Sequence, residues 1–173
     1  MLFFSAFAVL TLSLNALALS RPTYSRGLGS RQRYDPSEIA QYLAAHNIVR
    51  VAHEASPLHW SHKLADKAQA WADTCQFRHS EGTLSDEPYG ENMVAATGSF
   101  PILNALKLFS ADKAEYNPMA PSYNHFTQVV WKSTQYLGCA SSQCGGIFNA
   151  TETRATMYVC LYEPPGNVVG QAL

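Results

Sequence analysis

The sequence predicts an α+β domain, with helices followed by an antiparallel sheet. Two patterns carry the prediction. From Asp35 to Tyr116, cap residues and apolar positions three and four apart mark helices. From Phe126 onward, short β-branched and aromatic runs are separated by polar and glycine-containing turns. That order places helices against a sheet, not in alternation with parallel strands.

Asp35-Pro36-Ser37-Glu38 opens the first helix with an N-cap oxygen, proline at N1 and glutamate at N3. Ile39, Tyr42, Leu43, Ile48 and Val49 form its apolar stripe, and the helix is expected to end near Arg50–Ala52. His46 and Arg50, four residues apart, share a face. Pro57 holds Ser56 extended, and Ser61 caps a second helix whose stripe is Leu64, Ala68, Trp71 and Cys75. A polar loop over 81–88 leads to Gly90-Glu91-Asn92. Gly90 there permits an unusual backbone angle or a close approach, fixing the orientation of Glu91 and Asn92. Phe100 to Tyr116 reads as a third helix, broken by Asn117-Pro118 and Pro121. Phe126 to Trp131 alternates as a strand, with Thr127, Val129 and Trp131 on one face and His125 at its entrance. Tyr136–Ser141 and Ala155–Tyr162 are two further strands, and Pro164-Pro165-Gly166-Asn167 is a closing turn.

At 173 residues, with 47% hydrophobic and 14% charged residues, the chain suits one ordered domain. Residues 1–18 read as a signal peptide: apolar, without charged side chains, and ending in the small-x-small site Ala16-Leu17-Ala18. Residues 19–34, rich in Arg, Ser and Gly, read as a basic flexible tail or pro-segment, and 35–173 as the domain. The formal charge of −1 hides an asymmetry, because four arginines precede Asp35. From Tyr34 onward eight basic residues face thirteen acids, a balance that excludes a nucleic-acid binder. After signal removal no stretch is long and apolar enough to span a membrane. Cys75, Cys139, Cys144 and Cys160 behind a signal peptide imply two disulfides. A cross-strand Cys139–Cys160 bridge leaves Cys75–Cys144, and a local Cys139–Cys144 bridge leaves Cys75–Cys160. Asn149-Ala150-Thr151 is a glycosylation sequon. Ser80 beside His79 and Ser122 near His125 lack a nucleophile-elbow turn and an orienting aspartate in sequence, which argues against a serine hydrolase.

Four stretches in order resemble the CAP superfamily, which includes the cysteine-rich secretory, antigen-5 and plant pathogenesis-related-1 proteins. They are His46-Asn47-Ile48-Val49-Arg50, Gly90-Glu91-Asn92-Met93, Asn124 to Thr134, and Tyr158 to Asn167. The resemblance covers about 37–168 and points to a pathogenesis-related-1-like, fungal-type secreted protein. It implies a three-layer α-β-α sandwich and the pairing Cys75–Cys144 with Cys139–Cys160. It also implies a cleft tetrad of His79, Glu91, Asp112 and His125, with Asp112 standing where glutamate is usual and Glu115 the weaker candidate. His46, in a separate motif, reads as structural. Two histidines with two carboxylates suit a divalent metal such as zinc, as an optional and not an obligatory cofactor. The resemblance further implies binding of a sterol or fatty-acid-like ligand around the loop after the third helix, where Phe109, Tyr116, Met119, Tyr123 and Phe126 are the candidates. The expected function is therefore non-catalytic ligand binding. A metal-dependent protease built on the tetrad is the alternative, and a cell-surface or host receptor ligand, acting through surface loops or a peptide released after Tyr162, is a third reading.

Overall fold

The computed structural model describes residues 34–117, 122–148 and 154–171. The leader (1–18), residues 19–33 of the tail, Met119 and the sequon asparagine Asn149 lie outside the described residues. Tyr34, assigned to the tail from sequence, belongs to the domain. Its ring is buried edge-on to Trp60, 6.2 Å between centroids, and its hydroxyl donates to Asp66 at 3.0 Å.

Helix α1 spans Pro36–Val51, and Asp35 caps it by accepting from the Ser37 amide. Its buried face is Tyr42, Ala45, His46 and Arg50. That differs from the predicted stripe: Ile48 is 71% exposed. The reason is that this face buries His46 and Arg50, whose side-chain nitrogens are all hydrogen-bonded. Strand β1 is the short His59–Trp60, and α2 is His62–Ala72, capped by Ser61. Helix α2 stops before Cys75, which sits at φ 55 in the left-handed region. Strand β2, Gly90–Thr97, was not recognised in the sequence as a strand. Helix α3 is Ile102–Ala111, continued by a 3₁₀ turn over Asp112–Glu115.

The predicted strand at 126–131 is instead a helix, α4, His125–Val130. The Asn124 side chain accepts from the Thr127 amide at 3.0 Å, and the Thr127 hydroxyl accepts from the Asn124 amide at 2.8 Å. This reciprocal cap satisfies donors that a strand would have paired in a ladder. Phe126 to Val130 are all buried, so the apolar content that resembled a strand reflects burial all round a single short helix.

Strands β3 (Tyr136–Cys144) and β4 (Ala155–Glu163) follow as expected, β3 running further than predicted. Among the described residues the strands form one sheet in the order β1-β3-β4-β2. The pairings β3–β4 and β2–β4 are antiparallel, while β1 joins β3 in parallel, so the sheet is mixed at one edge. Strand β4 is buried from Ala155 to Tyr162 because it is central and covered on both faces. Tyr158, Cys160 and Tyr162 face a core with α1, α3 and α4, whereas Met157, Val159 and Leu161 face α2. This is the expected three-layer α-β-α sandwich. A Cβ at Gly138 would stand 2.2 Å from the Ala65 backbone nitrogen, so only glycine lets α2 lie this close to β3. Cys139 pairs with Cys160 directly across the β3–β4 ladder, and Cys75 pairs with Cys144, as the resemblance implied.

Candidate functional site

The site is built from two histidine–carboxylate pairs near the open edge of β2. Glu91, on β2, takes up the first. Its carboxylate meets His79 Nδ1 at 2.6 Å and accepts the Ser80 amide at 3.2 Å. The Ser80 hydroxyl donates to the other carboxylate oxygen at 2.5 Å. Ser80 is 1% exposed, so it serves as a carboxylate clamp and not as a nucleophile. His79 is pushed above the ordinary imidazole range by its hydrogen bond to Glu91, against the opposing effect of burial, with Glu91 and Glu81 charges adding to the rise.

The second pair is His125 with Asp112. Asp112 Oδ2 lies 2.8 Å from His125 Nδ1 and accepts the His125 amide at 3.2 Å. The partner is thus Asp112, reached from the 3₁₀ turn, and not Glu115. The shorter side chain still reaches because Asn124 Nδ2 donates to the Asp112 carbonyl at 3.2 Å and draws the turn onto α4. The His125 ring stacks on Phe109, with centroids 5.6 Å apart.

In both pairs the carboxylate takes Nδ1. Nε2 of each ring has no protein partner among the described residues. A carboxylate on one imidazole nitrogen and a free opposite nitrogen is the arrangement of a metal-ligating histidine. A cavity of about 250 Å³ adjoins the first pair, lined by His79, Glu91, Tyr89, Gln128 and Asn167 among others, but by neither Asp112 nor His125. Among the described residues, no three donors of the tetrad come within 4.8 Å of one another. His46, Cys139 and Cys160 do gather so, but both sulfurs are spent in a disulfide and offer no thiolate.

The motif residues around the pairs are positioning groups. His46 is fully buried; its Nδ1 donates to the Tyr42 carbonyl at 2.8 Å and its Nε2 accepts from the Tyr162 hydroxyl at 2.9 Å. Tyr162 in turn accepts from Asn92 Nδ2, which also donates to the His125 carbonyl at 3.0 Å. Three motifs thus converge on the backbone that presents His125. Asn47 closes a two-bond bridge with Leu58, and Arg50 donates to carbonyls at the end of α4. Gln128 escaped the sequence reading as a site residue. It accepts the Gly166 amide at 2.9 Å and fills the space beside Gly90, where a Cβ would lie 2.0 Å from its Oε1. Its signal was a polar residue within an otherwise apolar run. Gly90 is therefore required for close approach and not for its backbone angle.

Burial pushes His46 down to about 4 from its ordinary 6.5. Below pH 6.5 the unfolded histidine takes a proton that the folded one refuses until about pH 4. The unfolded state then binds more protons, and stability falls as pH falls through that window, by about 3 kcal/mol once complete. Denaturant unfolding between pH 7 and 4 checks this: His46→Gln should flatten the dependence, and an unchanged slope in that variant would assign it elsewhere.

The lipid candidates do not share one wall. Phe109 and Phe126 are core residues, 1% and 2% exposed. Tyr123 packs edge-on to Trp131 and accepts the Gly170 amide. Tyr116 and the edge of Phe126 line a cavity between α1, the 3₁₀ turn and α4. A separate groove of about 360 Å³ runs between α1 and α3, lined by Ala45, Ile48, Val49, Leu103 and Leu106, with Lys107 and Ser110 at its border. Sequence reasoning missed it by counting Ile48 in the apolar stripe of the first helix. Among the described residues no helix is long and apolar enough to cross a membrane.

Comparisons with known proteins agree with this architecture. Residues 43–162 match the cysteine-rich secretory protein family. The chain is 39% identical over 137 residues to a probable pathogenesis-related protein of Candida albicans, covering 77% of this chain and 39% of that protein's length. It is 38% identical to fruiting body protein SC7 of Schizophyllum commune, covering 82% and 71% of the two chains. With pathogenesis-related protein 1 of Arabidopsis thaliana it shares 33% identity, covering 75% and 78%. Among solved structures, NaASP2 with Zn2+ superposes with a TM-score of 0.65 at 20% identity, covering 82% of this chain and 87% of the other. Venom allergen-like protein 4 of Schistosoma mansoni gives 0.60 at 22% identity, covering 76% and 90%. The fold, the two disulfides and the ordered motifs thus place this chain in the cysteine-rich secretory protein family.

Proposed function

We propose that the protein is a secreted, non-catalytic carrier of a small hydrophobic ligand of the sterol or fatty-acyl class. The observation that carries this reading is the α1–α3 groove. Its walls are almost wholly aliphatic, yet Ile48 is 71% and Leu103 55% exposed. Branched apolar side chains left in water beside a groove of this size provide a driving force for an apolar occupant. Residues 1–18 act as the export signal in this reading, residues 19–33 as a solvated tail, and Asn149 carries a glycan.

The test is lipid extraction and sterol binding on the secreted protein. Ile48→Glu and Leu103→Glu, both at exposed positions, should each weaken binding of a radiolabelled sterol or fatty acid by about tenfold or more without loss of fold, as expected for about 1.5–3 kcal/mol of apolar contact. Saturable binding that survives both substitutions would move the site elsewhere, and no saturable binding of either lipid would overturn the carrier reading.

The two histidine pairs support a second reading, optional binding of a divalent cation such as zinc. His79 and His125 would supply neutral Nε2 ligands, with Glu91 and Asp112 holding the ring orientation. A bound zinc would supply Lewis acidity. Metal analysis of the same preparation, with His79→Ala and His125→Ala as controls, checks the cation. Chelator-sensitive proteolysis lost in those variants would favour the protease.

A further inference from the structure

Three adjacent strands carry a row of polar side chains at one end of the sheet. His59 of β1 stands opposite Tyr136 of β3, and Tyr136 stands opposite Glu163 of β4. Residues paired in register project from the same face of a sheet. The alternation along β4 makes it the face of Val159 and Leu161, which α2 covers. Helix α2 reaches this face at Leu64 and Ala65, against Gly138. Tyr136, two residues earlier on β3, is 44% exposed. The backbone under the row is already tied together. The Gln135 carbonyl accepts the His59 amide at 2.9 Å, the Gln135 amide donates to the Glu163 carbonyl at 3.0 Å, and the Ser61 amide donates to the Leu137 carbonyl at 2.8 Å. The row is therefore organised before anything binds to it.

A cavity of about 350 Å³ opens on the row, lined by Ser61, Gln135, Tyr136, Glu163 and Pro164. That volume lies within the range of small-molecule sites. Its polar groups are unspent. The side chains of Gln135 and Glu163 and the Tyr136 hydroxyl make no hydrogen bond or ion pair among the described residues. The Ser61 hydroxyl oxygen accepts the Leu64 amide at 3.3 Å, which leaves its hydrogen to donate. The His59 ring flanks Tyr136 with centroids 6.4 Å apart.

We propose that this row is a carbohydrate-binding platform, taking a neutral β-linked pyranoside oligosaccharide. A pyranose with equatorial substituents has a flat face of C–H groups and a rim of hydroxyls. The exposed Tyr136 ring takes the C–H face by dispersion. The carboxylate of Glu163 accepts from ring hydroxyls, and the amide of Gln135 both donates and accepts, as hydroxyls do. Other classes of ligand fit less well. An anion would meet the Glu163 carboxylate with no cation in the lining. An apolar ligand would strip water from Glu163 and Gln135 without replacing its hydrogen bonds. A cationic peptide would find a single acid, with Lys63 and Lys132 each within three residues of a lining residue along the chain. The platform shares no residue with the α1–α3 groove or with the histidine–carboxylate pairs.

Calorimetric titration of the secreted protein with cellotriose, sorbitol and trilysine tests the assignment, with near-ultraviolet circular dichroism as the check on fold. Saturable cellotriose binding at millimolar concentration or below is expected. Tyr136→Ala should weaken it tenfold or more, and Glu163→Ala threefold or more. Tyr136→Phe should keep most of the affinity because it keeps the ring face, and Ile48→Glu in the α1–α3 groove should leave it unchanged. Absence of saturable cellotriose binding, equal affinity in Tyr136→Ala or Glu163→Ala, or loss of binding in Ile48→Glu overturns the proposal. Sorbitol bound as tightly as cellotriose overturns it in favour of unspecific polyol contact. Trilysine bound more tightly than cellotriose overturns it in favour of a cationic peptide.

Discussion

Arg50→Met is expected to destabilise the domain by about 3–5 kcal/mol, more than an ordinary core substitution. The guanidinium is fully buried and has carbonyl partners instead of a carboxylate. Nε donates to Ser56 at 2.7 Å, one terminal nitrogen to Val129 and Trp131 at 2.8 and 2.9 Å, and the other to Thr134 at 2.9 Å. Two of these carbonyls belong to the C-terminal end of α4, where unpaired acceptors and the negative end of the helix dipole both favour a cation. Burial pushes Arg50 down to about 10, so it remains charged at neutral pH. Methionine keeps the stem packing but removes a donor from each of four carbonyls, of which that of Trp131 still accepts the Thr134 amide. Arg50→Lys should recover only part of the loss, because an ammonium cannot reproduce the planar fork. Denaturant unfolding measures both variants. A loss below about 1 kcal/mol in Arg50→Met would show that other donors replace the guanidinium.

Replacing Cys75 and Cys144 together by serine is expected to cost about 4 kcal/mol, from the chain entropy that a bridge spanning 69 residues removes from the unfolded state. For a domain of this size that corresponds to a fall in Tm of roughly 10 °C. The same change should reach the site. Cys75 follows α2 in a left-handed conformation and anchors the segment that carries Arg78 across Trp71 and then His79 to Glu91. Hydrogen exchange at 76–80 should therefore rise in the double-serine variant more than exchange in β4. A uniform change would mean that the bridge acts on the unfolded chain alone.

Much of the fold was legible because local signals and burial agreed. Asp35-Pro36 and Ser61 announced their helices, and Ala155–Tyr162 announced a strand. The disulfide pairing followed from resemblance, since spacing alone left two arrangements. Helix α4 was not legible. Six residues are too few to display a helical period, its β-branched content favours a strand, and its cap uses threonine where glutamate or glutamine is the usual signal. Strand β2 was hidden for the opposite reason. Gly-Glu-Asn-Met-Val-Ala-Ala-Thr has little β propensity, and its buried Asn92 serves Tyr162 and His125 and not an apolar layer. At the site, residue types could be listed from sequence, but not which carboxylate met which imidazole. Those distances depend on α4 and β2, the two elements that were misread or missed.

The turn after β4 has a bearing on the idea that a peptide is released from this end. Thr134 donates to the Pro164 carbonyl, the Gly166 amide donates to Gln128, and Asn167 joins Thr127 and the Asn124 carbonyl. Cutting after Tyr162 would remove the stitches that hold both ends of α4 and, with them, the support for His125. A signalling peptide from this terminus and an intact cleft are then alternative fates of one molecule. A cut at this position would act as an off-switch for the histidine–carboxylate site.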